Sequence, residues 1–307
     1  MILTLTLSPT VDKSSTVDRL MPEHKLKCAA PKFEPGGGGI NVSRALKRLG
    51  AESTCIFPAG GPSGNLLMKL LDDEGVGHHS IATKSWTREN FIVTETSTNQ
   101  QFRFGMPAPE LFPDEEGEIL ATIEKISGLK YIVASGSMPP GIGEDFLAKI
   151  ARLAKQNGAR FIADTSGESL KHAVGEGVYL LKPNLGELSY LAGVEALDND
   201  LADDAAKEMI SNGKCEVVVV SMGAQGAYLV TKDVSEYVAA PTVKKLSTVG
   251  AGDSMVAGMV YALSQGWPLK DVVKMGVACG SATTMNAGTA LFKKEDVDRL
   301  YGWMINR

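Results

Sequence analysis

Residues 130–164 read KYIVASGSMPPGIGEDFLAKIARLAKQNGARFIAD, and this stretch indicates the fold class. Short apolar runs at 130–134 and 160–164 predict two buried strands, and residues 144–157 between them have the spacing of a helix. A strand, a helix and a second strand in this order form the unit from which parallel sheets are built.

The same alternation continues on both sides of this unit. Further strands are predicted at residues 1–7, 53–58, 178–181 and 216–221, and further helices at 63–74, 113–126, 185–192 and 202–212. After about residue 250 the strand pattern ends, and helices are predicted at 252–265, 269–285 and 294–304. We therefore predict an α/β fold, a single domain over residues 1–307 with a doubly wound, mainly parallel sheet and helices on both faces.

Two segments do not follow this alternation. Residues 12–34 contain an alternating stretch at 25–30, and residues 88–105 are predicted to contain a hairpin that turns at Thr98–Asn99. Neither segment has a helix to cover it. We predict that both form a small inserted β-sheet, a lid whose exposed apolar face is a contact for a second copy of the chain, giving a homodimer.

The composition excludes several classes of protein. Hydrophobic residues make up 44% and charged residues 22% of the chain, as in globular proteins. With 31 basic and 36 acidic residues the net charge is −5, so no general attraction to nucleic acid or to an anionic membrane is expected. No apolar run approaches the roughly 20 residues of a membrane span. The four cysteines are far apart in sequence, which predicts reduced thiols and a cytoplasmic protein.

The strongest motif is TVGAGDS at residues 248–254, directly before a predicted helix. The backbone amides of Gly250, Ala251 and Gly252 would be unpaired there, and with the helix dipole they can bind an anion such as a transferring phosphate. Asp253 could then take a proton from an attacking hydroxyl. Alternatively, the glycines only form a turn and Asp253 only complements the helix dipole.

A second motif is PGGGGIN at residues 35–41, which also leads into a predicted helix. Its glycines would let the backbone lie close to a polyhydroxy ligand, and Asn41 can both donate to and accept from hydroxyl groups. The alternative is a flexible connection between lid and core.

Three further motifs follow predicted strands. Asn184 and Glu187 can cap a helix or orient a metal-bound water, and the capping interpretation is favoured from the residues alone. The turn at 221–226 could receive a nucleotide or form an ordinary hairpin, and Ser137 could touch a ligand or cap a turn. The sequence contains no P-loop, dinucleotide-binding fingerprint or esterase nucleophile motif.

In this order, and over nearly the whole chain, these segments resemble the ribokinase-like pfkB family of carbohydrate kinases. The GGxGxN and GAGD elements carry the resemblance most specifically. Residues 33–41, 57–61, 86–88 and 247–254 are particularly similar to the ribokinase-like type of 6-phosphofructokinase. Related tagatose-6-phosphate and 1-phosphofructokinases usually have lysine where this chain has Gly38, which favours the 6-phosphofructokinase branch.

The resemblance implies roles for individual residues. It implies that Asp253 is the catalytic base and that the amides of Gly250, Ala251, Gly252 and Asp253 stabilise the transferred group. Residues expected to bind the sugar or its phosphate are Asp12, Lys25, Lys27, Gly37, Gly38, Asn41, Arg88, Arg103 and Ser137. Residues expected along the nucleotide are Lys182, Asn184, Ser221, Gly223, Gly226, Thr248 and Asn286. Asn184 and Glu187 are expected to hold Mg²⁺ through water, and a K⁺ site is expected at Ser247, Val249, Asn286 and Gly288.

The resemblance therefore implies a Mg²⁺- and ATP-dependent kinase that phosphorylates the primary hydroxyl of fructose 6-phosphate. Alternatives within the same class are a tagatose-6-phosphate kinase and a 1-phosphofructokinase. A noncatalytic sugar-phosphate-binding module is an alternative of a different class, although such a module would not need a base beside an anion hole. An NAD-linked oxidoreductase is disfavoured because the dinucleotide fingerprint is missing.

Overall fold

A computed structural model describes residues 1–198 and 201–306 of the chain. Its strands are β1 (Ile2–Leu5), β2 (Thr10–Val17), β3 (Lys32–Gly36), β4 (Thr54–Ala59), β5 (His78–Ala82), β6 (Arg88–Glu95), β7 (Gln101–Phe104), β8 (Tyr131–Ser135), β9 (Arg160–Asp164), β10 (Val178–Leu181), β11 (Cys215–Ser221), β12 (Gly226–Val230) and β13 (Ser235–Ala239). Its helices are α1 (Gly38–Leu49), α2 (Gly61–Asp73), α3 (Pro113–Glu124), α4 (Phe146–Gln156), α5 (Glu168–Glu176), α6 (Leu185–Ala192), α7 (Ala202–Ser211), α8 (Ala251–Ser264), α9 (Leu269–Thr284) and α10 (Lys294–Ile305).

The main sheet has the strand order β13-β12-β11-β10-β9-β8-β1-β4-β5. The strands from β11 to β5 are parallel, and β12 and β13 add an antiparallel edge. The chain leaves β1 toward β4 and β5 on one side and later returns to build β8 to β11 on the other. The predicted doubly wound, mainly parallel sheet is thus confirmed, and β1 and β8 lie where the winding direction changes, which is where such sheets bind ligands.

The parallel strands are buried on both faces because helices cover both. On one face, Val133 and Leu180 pack with apolar residues of α1, α8, α9 and α10. On the other face, Ile132 and Val218 pack with residues of α3, α4, α5 and α7. This burial explains why the central strands appear in the sequence as continuous apolar runs.

Three strands of the main sheet are absent from the sequence prediction. β5 is an edge strand that begins with two histidines and is only partly buried, so its apolar pattern is weak. β12 and β13 follow the turn at 222–225 and pair antiparallel with β11 and with each other, so the turn belongs to a hairpin. Their strand character depends on this pairing more than on local sequence.

A second sheet of four strands has the order β3-β2-β6-β7, and we call it the lid sheet. It confirms the predicted small inserted sheet, and the hairpin of β6 and β7 turns near Asn99, which has a positive φ of 57°. The prediction of a strand at residues 25–30 is wrong. These residues lie in an irregular, mostly exposed loop at 18–31, tied to β2 by the amide of Ala29, which donates to the carbonyl of Thr16.

The loop at 18–31 is irregular for a physical reason. Pro22 and Pro31 bound its alternating part, and proline cannot donate to a strand ladder. The alternation of residues 25–30 also faces solvent on both sides, so no apolar face is buried that would select an extended register.

Across the described residues, no helix combines the length and the apolar character that crossing a bilayer requires.

Candidate active site

The polar residues of the predicted motifs meet at the edge of the main sheet where its parallel strands end. Ser135 is the last residue of β8, Asp164 is the last residue of β9, and Lys182 directly follows β10. The helices α1 and α8 begin at this same edge. Because the carboxyl ends of parallel strands coincide, residues more than a hundred positions apart in sequence become neighbours here.

Asp253 lies in the first turn of α8, and Gly250 caps this helix in the left-handed conformation, with φ of 72°. Among the described residues, the amides of Gly252 and Asp253 have no hydrogen-bond acceptor, and the amide of Ala251 donates to Thr248 at a long 3.4 Å. Unpaired amides at a helix N-terminus carry a partial positive charge and can bind an oxyanion. The arrangement therefore agrees with the anion site predicted from the GAGD element.

The carboxylate of Asp253 is held from two sides. Asn41 Nδ2 donates to Oδ2 at 2.9 Å, and Ser135 Oγ donates to Oδ1 at 3.2 Å. Burial raises the pKa of Asp253 to about 6, and the nearby carboxylate of Asp164 adds to this rise. A carboxylate with this pKa is mostly ionised at pH 7 and is a better proton acceptor than an exposed aspartate.

Asp164 forms an ion pair with Lys182, and Lys182 Nζ lies 3.0 Å from Asp164 Oδ1. Burial lowers the pKa of Lys182, but the charge of Asp164 outweighs it and the pKa lies above its ordinary value. The ammonium group lies close to Gly252. A Cβ on Gly252 would be 3.8 Å from Lys182 Nζ, so no side chain separates the two. Lys182 can therefore reach an anion bound at the amides of α8.

Ser135 and Asp164 are not among the predicted site residues, although the sequence contains a signal for them. Both are polar residues at the carboxyl end of a predicted buried strand, and such residues converge in a parallel sheet. The hydroxyl oxygen of Ser135 lies 3.2 Å from Asp253 Oδ1 and 3.3 Å from Asp164 Oδ2. Because the hydroxyl group has a single proton, it can donate to only one of the two carboxylates at a time.

The glycine run at 36–39 is packed tightly between lid and core. A Cβ on Gly38 would lie 2.5 Å from the amide nitrogen of Gly136, and one on Gly37 would lie 2.6 Å from Thr6. Gly38 therefore lets the N-terminus of α1 lie directly against the end of β8. This close packing contradicts a flexible connection, and it accounts for the glycines at 37 and 38 by packing alone, as at Gly226.

Asp12 and Arg88 lie together at the base of the lid sheet. Asn90 Nδ2 donates to Asp12 Oδ1 at 3.0 Å, and burial raises the pKa of Asp12. Arg88 donates to the carbonyls of Ser8 and Met106. Arg88 Nε and Ser8 Oγ are buried and have no hydrogen-bond partner among the described residues. Such unpaired groups are costly unless a ligand or water satisfies them.

Other predicted sugar-phosphate residues are not gathered around Arg88. Lys25 and Lys27 are exposed on the loop at 18–31 and form no ion pair within the described chain. Arg103 is exposed on β7 opposite Ile92 and donates to Gln101. Ser137 is exposed in the loop after β8, next to Gly136.

Asn184 and Glu187 form a reciprocal capping box at the start of α6. Asn184 Oδ1 accepts from the amide of Glu187 and Glu187 Oε2 accepts from the amide of Asn184, both at 2.9 Å. Burial raises the pKa of Glu187, and the neighbouring Asp164 raises it further, although Lys182 opposes them. One carboxylate oxygen of Glu187 is left for a ligand. Over the residues described, no cluster of three His, Cys, Asp or Glu side chains could hold a metal ion.

The remaining predicted residues lie on neighbouring loops. Ser221 ends β11 and pairs with Asn184, and Gly223 is exposed just beyond it. Gly226 is buried in the β12–β13 pairing, where a Cβ would collide with the carbonyl of Val238, so its packing alone requires glycine. Thr248 is exposed beside α8.

The predicted cation-site residues come from two loops that the structure brings together. Ser247 Oγ donates to the carbonyl of Gly288 at 2.7 Å and accepts from the amide of Val249. Asn286 follows α9, and its side-chain amide donates to the carbonyl of Ala282. Carbonyl-rich loops of this kind can provide oxygen ligands for a cation.

Comparison with known proteins agrees with this geometry. Residues 5–296 match the model of the pfkB family carbohydrate kinases. The chain is 43% identical over 304 residues to the ATP-dependent 6-phosphofructokinase isozyme 2 of Escherichia coli strain K12, covering 99% of this chain and 98% of that protein. Two crystal structures of phosphofructokinase-2 from Escherichia coli also match, each covering 99% of both chains: the potassium complex, with TM-score 0.95 and 43% identity, and the fructose-6-phosphate complex, with TM-score 0.91 and 42% identity.

The raised pKa of Asp253 predicts that its charge destabilises the folded protein. The folded state favours the neutral carboxyl group, so the wild type loses stability as the pH rises from about 4 to about 6. Asp253→Asn removes the charge and should raise the free energy of unfolding at pH 7.5 by about 1–3 kcal/mol, with the difference vanishing near pH 4. Urea unfolding across this pH range measures it, and a variant less stable than wild type at pH 7.5 would contradict the prediction.

Proposed function

Because this chain belongs to the pfkB family of carbohydrate kinases, we propose that it is an ATP-dependent 6-phosphofructokinase. It transfers the γ-phosphoryl group of ATP to the primary hydroxyl of fructose 6-phosphate and releases fructose 1,6-bisphosphate and ADP. The observation that carries the proposal is the ionisable Asp253 carboxylate directly beside the unpaired amides of α8. The relative with 43% identity over almost the whole chain supports this choice of substrate.

In the reaction, Asp253 accepts the proton of the primary hydroxyl while the hydroxyl oxygen forms a bond to the γ-phosphorus. The bond from that phosphorus to the bridging oxygen of ADP breaks, and ADP leaves with the electron pair. The amides of Gly250, Ala251 and Gly252 and the ammonium of Lys182 stabilise charge on the transferred group. Since the protein forms no covalent intermediate, the rate depends on positioning and on the fixed charges.

The sugar binds between the base of the lid sheet and the N-terminus of α1. Asp12, Gly37, Gly38, Asn41 and Ser137 are proposed to contact its hydroxyl groups. The chain carries no side chain at Gly37 or Gly38, where a Cβ would meet Thr6 or the end of β8.

Arg88 is proposed to bind the phosphate of fructose 6-phosphate. Its buried, unpartnered Nε and the loss of hydration at this site support an anionic ligand there. Arginine suits this role because its planar donors match phosphate oxygens. Arg103 lies on the same face of the lid sheet, opposite Ile92, and adds positive charge nearer the tip.

Lys25 and Lys27 are proposed to reach this phosphate from a second copy of the chain. Arg88 is paired with Thr10 at the base of the lid sheet, whereas the loop that carries the lysines is tied to Thr16. Six residues of extended strand separate these points, about 20 Å. Within one chain the lysines therefore lie toward the opposite end of the lid from Arg88.

A homodimer through the lid sheets would supply the missing lysines. Phe102, Phe104 and Met106 are exposed on or beside β7, and Phe104 stacks on Phe91 across the strands. Exposed apolar residues grouped on an open sheet favour contact with another protein surface. Each site would then combine Arg88 of one protomer with lysines of its partner.

On the nucleotide side, Mg²⁺ fits as a hydrated ion. The capping box leaves one oxygen of Glu187 free, with Asn184 beside it, so contact through water suits the donors present. When bound, Mg²⁺ would neutralise phosphate charge. Along the nucleotide we place Lys182, Ser221, Gly223, Gly226, Thr248 and Asn286, although packing alone explains Gly226. We propose that K⁺ binds between the loops that contain Ser247, Val249, Asn286 and Gly288. The backbone carbonyl of Gly288 is one oxygen that could serve as a ligand there.

The proposed substrate is tested by measuring ADP release from Mg-ATP with fructose 6-phosphate, tagatose 6-phosphate and fructose 1-phosphate in parallel. We expect the highest kcat/KM with fructose 6-phosphate. Preference for tagatose 6-phosphate or fructose 1-phosphate would keep the mechanism and replace the substrate. Absence of ADP release with every sugar phosphate would support the noncatalytic alternative.

Asp253→Asn should lower kcat by about 10²–10⁴-fold because the proton acceptor is lost. Binding of fructose 6-phosphate, measured by calorimetry, should remain. Wild-type kcat/KM should also fall about tenfold per pH unit below pH 6, where Asp253 becomes protonated. Asp271→Asn is the matched control, since Asp271 holds the same third position in α9, and it should leave kcat unchanged. Near-normal turnover by Asp253→Asn would contradict the assignment of Asp253 as the base.

Mixed dimers test whether the lysines act across the interface. Arg88→Ala and the double variant Lys25→Ala/Lys27→Ala should each be nearly inactive at low substrate concentration. In a mixed dimer, one of the two sites would combine wild-type Arg88 with wild-type lysines. Random mixing makes about half of the dimers mixed, and each has one intact site of two, so about a quarter of wild-type activity should return. If each lysine serves its own chain, mixing restores nothing, and that result would refute the shared site.

A further inference from the structure

Arg44 is an almost completely buried charge in the middle of α1, one helical turn after Asn41, and its side chain is 1% exposed. Its guanidinium divides its donors among several partners. Nε and Nη2 donate to the two carboxylate oxygens of Glu74, at 2.7 and 2.6 Å, in a bidentate pair. Nη1 donates to the carbonyl of Pro35 at 2.9 Å and to Asn41 Oδ1 at 3.3 Å.

The contact with Asn41 determines which way its side-chain amide points. Arginine has only donors, so the atom that faces Arg44 must be the oxygen, Oδ1. The amide nitrogen then faces Asp253, whose ionised carboxylate has only acceptors. A flipped amide would place two donors together at Arg44 and two acceptors together at Asp253. The two ends of the side chain therefore require the same orientation.

Glu74 keeps the guanidinium in the plane that this contact needs. It caps the C-terminus of α2, and its bidentate pair fixes both the position and the rotation of Arg44. Glu34 on β3 lies 3.9 Å from Nη2 and accepts from Thr289 at 2.6 Å. Arg44 is thus held by groups from α2 and the lid sheet, and Glu34 is in turn held by the loop before α10.

We propose that Arg44, clamped by Glu74, is a positioning residue for phosphoryl transfer: it orients the amide of Asn41 so that Nδ2 holds the Asp253 carboxylate toward the substrate hydroxyl. This inference rests on the proposed function, in which Asp253 is the base. Arg44 acts through Asn41 and contacts neither substrate.

The effect on Asp253 has a definite direction. The hydrogen bond from Asn41 favours the ionised carboxylate and lowers its pKa, against burial and the charge of Asp164, which raise it. Lys182 and Ser135, from the other side of the site, also lower it. Loss of the Asn41 orientation should therefore raise the pKa of Asp253, and activity should begin to fall at higher pH than in the wild type.

The test is Arg44→Lys, which keeps the charge but replaces the fork by a single point of donation that cannot serve Glu74 and Asn41 together. We expect kcat to fall about 10–100-fold with the KM for ATP within about threefold, and the acid limb of kcat/KM to move to higher pH. In an Asn41→Ala background the same substitution should change kcat less than about twofold, because the side chain it orients is gone.

Arg48→Lys is the matched control. Arg48 lies one turn further along α1 and donates to the carbonyl of Phe292, without contacting Asn41, so its kcat and pH profile should remain those of the wild type. Glu74→Gln is the second variant in case Arg44→Lys does not fold, because Glu74 is partly exposed. It loosens the clamp and should shift the acid limb in the same direction by a smaller amount.

A readout without substrate separates this inference from the proposed function. Asp253→Asn gains free energy of unfolding over its parent only where Asp253 is ionised, so the pH range in which this gain develops reports the pKa of Asp253. When Arg44→Lys is the parent instead of the wild type, this range should lie at higher pH. The inference is overturned if Arg44→Lys, or Glu74→Gln in its place, leaves the acid limb and this range unmoved, or if its cost in kcat persists in the Asn41→Ala background. Lack of wild-type turnover with fructose 6-phosphate would instead overturn the proposed function, and the unfolding measurement would still decide the inference.

Discussion

The carboxylate of Asp253 joins α8 to α1 through Asn41 and to β8 through Ser135, and the rest of the site is arranged around this junction. It places an ionisable group directly at the helix N-terminus whose amides are unpaired. The surrounding protein removes water from the carboxylate and brings Asp164 near it, so the same contacts that position this proposed base also make its charge costly. In the proposed reaction, proton acceptance and folding stability therefore place opposing demands on Asp253.

The parallel sheet makes this junction possible. Its strands end at a common edge, where Asp164 and Lys182 form an ion pair next to the base and the glycines of α1 pack against the end of β8. β3 of the lid sheet leads directly into α1, and the buried Arg44 links β3 to Asn41 through Pro35. The positions of lid, helix and base are thus connected by direct contacts within one small region.

Much of this could be predicted from local sequence. The central strands are apolar on both faces, so the sheet class was accessible from the sequence. The GAGD and glycine-run motifs mark helix starts and led to Asp253 and Asn41 as candidates, whereas Lys182 became a candidate only through the family resemblance. β5, β12 and β13 were missed because pairing at the sheet edges, more than strand propensity, makes them strands. The strand predicted at residues 25–30 was wrong because an alternating pattern forms a strand only where one face is buried.

The sequence by itself determined the order of strands and helices, the chemistry available at each loop, and the family to which the chain belongs, because periodicity and short motifs are local properties. Only the tertiary structure decided which of these groups meet. Ser135, Asp164 and Arg44 lie at ordinary positions in sequence, and they join the site because parallel strands end together and α1 packs beside them. The tertiary structure also separates the loop of Lys25 and Lys27 from Arg88, because the two are attached at opposite ends of β2.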